Sequence, residues 1–297
     1  MRLVTYEQNE SWHTGIAIND NIIDASAAAK AANIDFDGKE ISNRVIVGLT
    51  REEQSRLEAA AQQLAQSNET ETSHLDDVLL GPPIPDPDKI ICLGLNYKSH
   101  ADEAGFKAPE IPILFAKFRN TLTGPTSPII LPSVSNEIDY EGELAVVIGK
   151  QCKNVSEENA LEYVAGYMVL HDVSARDLQF RSGQWLSGKT LDTFAPCGPV
   201  LVVNEISDPQ TLYISTRING QSLQRGNTKN MIFSVAYSIS YISSLLTLEP
   251  GDIIATGTPE GVGFKRTPPI FLKDGDIVEV EIEKIVTLKN PVVKPQE

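Results

Sequence analysis

Three acidic side chains dominate the chemistry open to this chain. They are Glu141 and Glu143 in Asp139-Tyr-Glu-Gly-Glu-Leu-Ala-Val-Val-Ile-Gly, and Asp172 in His171-Asp-Val-Ser-Ala-Arg-Asp. Glu141 and Glu143 lie two apart at the head of an apolar run, Leu144 to Ile148. On a strand, the period of two puts both carboxylates on one face. Asp172 follows a second apolar run, Tyr163 to Leu170, so it stands where another strand emerges. Three carboxylates converging at strand ends suit a hard divalent cation, Mg²⁺ or Mn²⁺ rather than zinc. Without a cation they repel one another. A solvated acidic edge fits the same local pattern.

Other residues could complete such a site. In Asn96-Tyr-Lys-Ser-His100-Ala-Asp-Glu103, His100 and Glu103 are three apart and touch if the segment is helical. A carboxylate that fixes one imidazole nitrogen raises the basicity of the ring, as a general base requires; an incidental surface ion pair has the same spacing. Gly183-Gln-Trp-Leu-Ser-Gly-Lys189-Thr190 matches a phosphate-binding loop in letters only. No buried strand precedes it, and Pro196, Gly198 and Pro199 soon follow, which stops a helix. Lys189 is instead a cation able to stabilise an enolate or a substrate carboxylate. Arg176 and Gln179 follow Asp172 by four and seven residues and reach the same pocket from a helix. Ala255-Thr-Gly257-Thr258-Pro-Glu-Gly-Val-Gly263 follows a strand-like run; its glycines allow close backbone approach, and Thr258 adds a hydroxyl. A plain surface turn reads the same way.

The elements that must carry these residues are mostly strands. Short β-type runs include Ile90 to Leu95, Glu143 to Ile148, Tyr167 to Leu170, Val200 to Val203, Leu212 to Ile218 and Asp252 to Ala255, with Ile218-Asn-Gly-Gln as a hairpin turn. Thr50-Arg-Glu-Glu53 is a capping box ahead of an apolar stripe at Leu57, Ala60, Ala61 and Leu64. A second helix is expected from about Asn230 to Leu246. Few helices among many strands imply a β-rich α+β fold, barrel or sandwich, rather than a doubly wound sheet. The polar stretch Gln66 to His74 and the prolines of Gly81-Pro-Pro-Ile-Pro-Asp-Pro divide the chain. Residues 1–75 read as a small N-terminal domain, 76–88 as a connector and 89–297 as the catalytic domain.

A chain of 297 residues with net charge −15 repels phosphate backbones and anionic membranes, so neither nucleic acid nor membrane is an expected partner. Three widely spaced cysteines, Cys92, Cys152 and Cys197, form no zinc or disulfide pattern. The N-terminus carries no signal-peptide core, and a reducing cytoplasm is expected.

Taken together these blocks resemble the fumarylacetoacetate hydrolase family, and within it the domain-containing subgroup with a small variable N-terminal domain. The resemblance runs from about Ile90 to Val286. It also takes in Phe115-Ala-Lys-Phe, Gly188-Lys-Thr-Leu-Asp-Thr-Phe-Ala-Pro-Cys-Gly-Pro and Leu272-Lys-Asp-Gly-Asp. It implies a mixed β-sandwich roll, barrel-like, with a small N-terminal α/β domain, usually as a homodimer. It implies Mg²⁺ or Mn²⁺ on Glu141, Glu143 and Asp172, and a water-activating dyad of His100 and Glu103 on a segment that often orders with ligand. Lys189, Arg176, Gln179, Gly257 and Thr258 would meet the substrate. An additional aspartate ligand of the mammalian name-giving enzyme has no evident counterpart here. The expected activity is hydrolysis of a C–C bond in a small anionic β-diketo acid of acylpyruvate type, releasing a pyruvate enolate. The alternative is oxaloacetate decarboxylation or keto–enol tautomerisation at the same site.

Overall fold

One large mixed sheet runs through most of the chain in the computed structural model, which describes residues 1–67, 72–105 and 107–295. From one edge its strands are Ser73–His74, Asn21–Asp24, Ser11–Ile18, Arg2–Gln8, Ala195–Val203, Val164–His171, Gly142–Ile148, Ile253–Ala255, Ile90–Gly94 and Ile113–Lys117. Neighbours run antiparallel except Ile253–Ala255 beside Ile90–Gly94, which is parallel. A second sheet of Gln221–Asn227, Tyr213–Ile218, Ile277–Ile282, Leu288–Val293 and Ile129–Ile130 packs across the middle of the first. The β-rich α+β architecture expected from the sequence is therefore present. The barrel-like part of that expectation is not: the large sheet stays open at both edges, and its curvature is completed by the second sheet.

The central strands are buried on both faces, so their alternation sorts residues between two cores rather than between core and water. Leu144, Val146 and Ile148 join one cluster with Val169, Val202, Ile214, Val278 and Val280, between the two sheets. Ala145 and Val147 join the other with Met168, Leu170, Leu201 and Ile253. That second core is roofed by the N-terminal helices Ala25–Ala31, Asn43–Val47 and Arg51–Ser67 through Ala28, Ile46, Leu57 and Ala61. The capping box forms as expected: Glu53 N–H donates to the Thr50 hydroxyl (3.2 Å) while Thr50 N–H donates to the Glu53 carboxylate (2.8 Å).

One expectation shifts. The late helix spans Val235–Leu245 rather than starting near Asn230, because the Ser234 hydroxyl accepts the Tyr237 N–H (2.9 Å) and caps it there. The N-terminal strands join the large sheet, Arg2 and Leu3 pairing with Val202 and Leu201. We propose the boundary at 76–88 as one between sequence units that share a sheet. The polar stretch from Gln66 and the segment after Gly105 lie partly outside the described residues. No helix among the described residues is long and apolar enough to cross a membrane. All three cysteines are free and buried.

Candidate metal and acid–base site

Strand register brings the carboxylates together. Gly142 pairs with His171 and Glu143 with Leu170, so Glu141 stands opposite Asp172, whose N–H donates to the Glu141 carbonyl (2.8 Å). Glu141, Glu143 and Asp172 are all buried, and each brings a carboxylate oxygen within 4.8 Å of the others. His171, one residue out of phase, is buried with neither ring nitrogen partnered among the described residues. Burial lowers its pKa to about 3, so it stays neutral.

Cations interleave with the carboxylates. Lys189 Nζ donates to Glu141 Oε2 and Asp172 Oδ2, both at 2.7 Å. Arg176 donates to Glu141 Oε1 (2.5 Å), to Asp139 Oδ2 (2.8 Å) and to the Gln179 carbonyl oxygen (2.8 Å). Lys117, fully enclosed, gives its three protons to the carbonyls of Val173 (3.0 Å), Lys189 (2.8 Å) and Phe194 (2.7 Å). Its Nζ also lies 2.7 Å from Asp172 Oδ1, a fully buried ion pair.

Four buried carboxyls (Asp139, Glu141, Glu143, Asp172) meet three buried cations (Lys117, Arg176, Lys189). With every carboxyl ionised, one negative charge is left over in a dry interior. It settles on Glu143. Burial, then Asp172 and Glu141, push its pKa well above the ordinary value, against the opposing pull of the Lys189 ammonium and the Gly257 N–H (2.8 Å). Glu141 goes the other way: Arg176 and Lys189 outweigh its burial and hold it far below. The donor set of hard carboxylate oxygens and the surplus negative charge fit a divalent ion such as Mg²⁺ or Mn²⁺.

A pH dependence follows. A carboxyl whose pKa is raised by folding adds stability below its unfolded pKa and loses it as pH rises through the folded value. Metal-free protein is therefore expected to lose stability as pH rises from the ordinary carboxylate range toward the raised Glu143 value. The Tm gain on adding Mg²⁺ should grow over the same range. A gain that shrinks with pH in calorimetry would contradict this charge assignment.

Arg176 has spent its guanidinium on protein partners and also lies against the Phe264 ring, 4.4 Å from its centroid. It also lines the pocket beside Gln179, whose side-chain amide oxygen it holds, leaving the Gln179 NH₂ free of that bond.

The loop after Ile253–Ala255 ties the parts together. Gly257 adopts φ +96°, open to glycine at little cost, and this aims its N–H at Glu143. The Thr258 hydroxyl donates to the Gly142 carbonyl and accepts from the Gln224 amide, both at 2.8 Å. Gln224 also accepts the Gly142 N–H (3.0 Å), so one side chain from the second sheet fixes both the ligand strand and the loop. Further on, the Gly261 N–H donates to Glu103 (2.9 Å).

His100 and Glu103 sit on the helix Lys98–Ala104, with His100 Nδ1 3.8 Å from Glu103 Oε2, a loose pair that a bound ligand would tighten. Burial would raise the Glu103 carboxyl; the imidazole and the N–H groups of Gly261 and Val262 outweigh it and hold the pKa below its usual value. The helix begins beyond Leu95, whose φ of +55° places a branched side chain in the left-handed region. Such strain costs about 1–3 kcal/mol and needs a rigid frame. Asn96 supplies it, bonding the main chain of Phe233 and Thr256 through its amide (2.7 to 3.1 Å).

His100, Glu141, Glu143, Gln179, Lys189 and Thr258 line a common pocket walled by Leu93, Leu95, Phe115, Phe180, Trp185 and Phe264. Residues 89–293 match the family described as fumarylacetoacetate (FAA) hydrolase, C-terminal. The chain belongs to the fumarylacetoacetate hydrolase family. It is 56% identical over 219 residues to a fumarylacetoacetate hydrolase domain-containing protein 2 homolog of Dictyostelium discoideum, covering 70% of this chain and 72% of that protein. It is 48% identical over 240 residues to a Xenopus laevis protein named oxaloacetate tautomerase fahd2, mitochondrial, covering 79% and 75%. Among solved structures it resembles fumarylacetoacetate hydrolase from Exiguobacterium antarcticum, with TM-score 0.83, 35% identity and coverage of 99% and 100%.

Within this fumarylacetoacetate hydrolase-family site, every residue singled out from the sequence lies at the pocket or directly behind it. The Gly257 N–H and the Thr258 hydroxyl also brace the site, donating to Glu143 and to the Gly142 carbonyl. Asp139, Lys117 and Gln224 were not singled out. Asp139 had a signal, since it extends the alternation of Glu141 and Glu143 by one step. Lys117 offered only a lysine among apolar neighbours, and Gln224 offered none.

Proposed function

We propose that this chain interconverts the keto and enol forms of oxaloacetate with the help of Mg²⁺ or Mn²⁺. The observation that carries the reading is the pairing of a proton-transfer dyad with a carboxylate trio that carries surplus negative charge at one pocket. The name of the Xenopus laevis relative supports the choice of reaction. A divalent ion on Glu141, Glu143 and Asp172 would supply Lewis-acid polarisation of a 2-keto acid. The Gln179 NH₂ binds a substrate carboxylate, and the Lys189 ammonium stabilises negative charge growing on the keto oxygen. With Nδ1 on the Glu103 side, His100 uses Nε2 to take a proton from C3; the C–H electrons form the C2–C3 double bond and the carbonyl pair moves to oxygen, which is then protonated. The reverse path regenerates the keto acid. The apolar pocket wall excludes bulk water from the exchange.

Hydrolysis of a C–C bond in an acylpyruvate is the second reading. It is favoured by the same apolar wall, which suits an acyl tail, and by the name of the Exiguobacterium antarcticum structure. The reading also includes a homodimer and a cytoplasmic location, open to sedimentation and fractionation. The deciding experiment follows loss of enol oxaloacetate by ultraviolet absorbance, beside acetylpyruvate and a 2,4-diketo-3-deoxy sugar acid, with Mg²⁺ present. Fast tautomerisation with slow cleavage is expected, abolished by EDTA and restored by Mg²⁺. Turnover that survives exhaustive chelation would refute the metal, and acetylpyruvate cleavage outrunning tautomerisation would favour the hydrolase.

A further inference from the structure

We propose that Trp185, seated on Gly94, sets the size of the group a substrate can carry beyond the end held at the carboxylates. The inference rests on the proposed 2-keto acid site for where that end lies, and extends it to substrate selectivity. Trp185 stands immediately before the short helix Leu186–Lys189, whose last residue delivers the ammonium to Glu141 and Asp172. The wall and the cation are therefore set at a fixed separation by one turn of backbone. Between them lies Phe115: Lys189 Nζ is 5.0 Å from its ring centroid, and the indole meets the same ring edge-on at 5.6 Å and 67°. The order outward from the carboxylates is Lys189, Phe115, Trp185.

The indole fits there only because residue 94 has no side chain. A Cβ on Gly94 would lie 2.8 Å from Trp185 Cη2 and nearer still to Cζ3. Gly94 closes the strand Ile90–Gly94, and its backbone lies outside the left-handed region, so the glycine answers to the indole rather than to a turn. The indole also packs against Leu95 and Ala101, a small cluster separate from both main cores. Trp185 thus rests on Gly94, Phe115 and this cluster. Leu93, Leu95, Phe115 and Trp185 bring no charge to this wall. A short acid fits beneath the indole, and each added methylene presses on it.

The test compares wild type with Trp185→Ala, Trp185→Leu and Gly94→Ala. Straight-chain 2-keto acids of rising length serve as competitive ligands, with binding measured by calorimetry in Mg²⁺, alongside kcat/KM for acylpyruvates of rising acyl length. Both Trp185 variants should raise the affinity for longer ligands relative to shorter ones by about tenfold or more, the scale of one or two methylenes in an apolar pocket. Gly94→Ala displaces the indole from its seat and should change the profile as well. If Trp185→Ala fails to fold, Trp185→Leu reads the same change with less lost packing. A length profile identical in wild type and the folded variants overturns the proposal. The ligand profile does not depend on turnover. Oxaloacetate left untouched by the enzyme would therefore sink the function reading alone, and an unmoved profile would sink this one alone.

Discussion

Replacing His100 with alanine is expected to lower turnover by about 10²–10⁴-fold, the usual contribution of a positioned acid–base group. Cation affinity should stay near wild type, because the imidazole is not among the carboxylate oxygens that would hold the ion. Glu103→Gln should cost less. Its amide keeps an acceptor for the Gly261 N–H but no longer carries a charge beside the ring. Combining the two should add little beyond His100→Ala alone, as groups acting as one unit are not additive. The check is kcat for each variant beside Mn²⁺ binding followed by electron paramagnetic resonance. A normal rate in His100→Ala would remove the dyad from the mechanism.

Two carboxylates of the trio should respond to substitution in opposite ways. Glu141→Ala strips a partner from both Arg176 (2.5 Å) and Lys189 (2.7 Å) in an enclosed space. Each cation keeps one carboxylate, Asp139 for Arg176 and Asp172 for Lys189, so the cost falls below the about 3–5 kcal/mol of a fully broken buried pair but still lowers Tm. Glu143→Gln removes the least comfortable charge of the group, one that burial and the neighbouring carboxylates oppose. Its metal-free stability should match or exceed wild type, while cation binding is lost. Denaturation with and without Mg²⁺ reads both effects. Equal destabilisation by the two substitutions would show that the surplus charge had been placed on the wrong residue.

These contrasts also mark what the sequence could disclose. Local periodicity suffices where the functional groups share an element: Glu141 and Glu143 by the step of two, His100 and Glu103 by the step of three. It suffices again for Asp172, because an apolar run announces the strand that ends there. It fails where a role is defined by distant partners. Lys117 acts through the carbonyls of Val173, Lys189 and Phe194, and Gln224 through Gly142, Thr258 and Pro259. Nothing within a few residues of either position encodes those meetings. The Thr256–Gly263 stretch shows a subtler limit. Its glycine and hydroxyl were legible as ligand-type donors, yet which acceptor they serve is settled by the register of a strand more than a hundred residues earlier. The barrel-like closure likewise depended on edge pairing that alternation along single strands does not specify.

The stretch that aims its Gly257 N–H at Glu143 also offers its Gly261 N–H to Glu103. One piece of backbone thus steers ion capture and proton shuttling alike, and neither can be retuned in isolation. A lineage seeking a new reaction on this scaffold would find that segment the costliest place to vary, and would be pushed toward the aromatic rim instead.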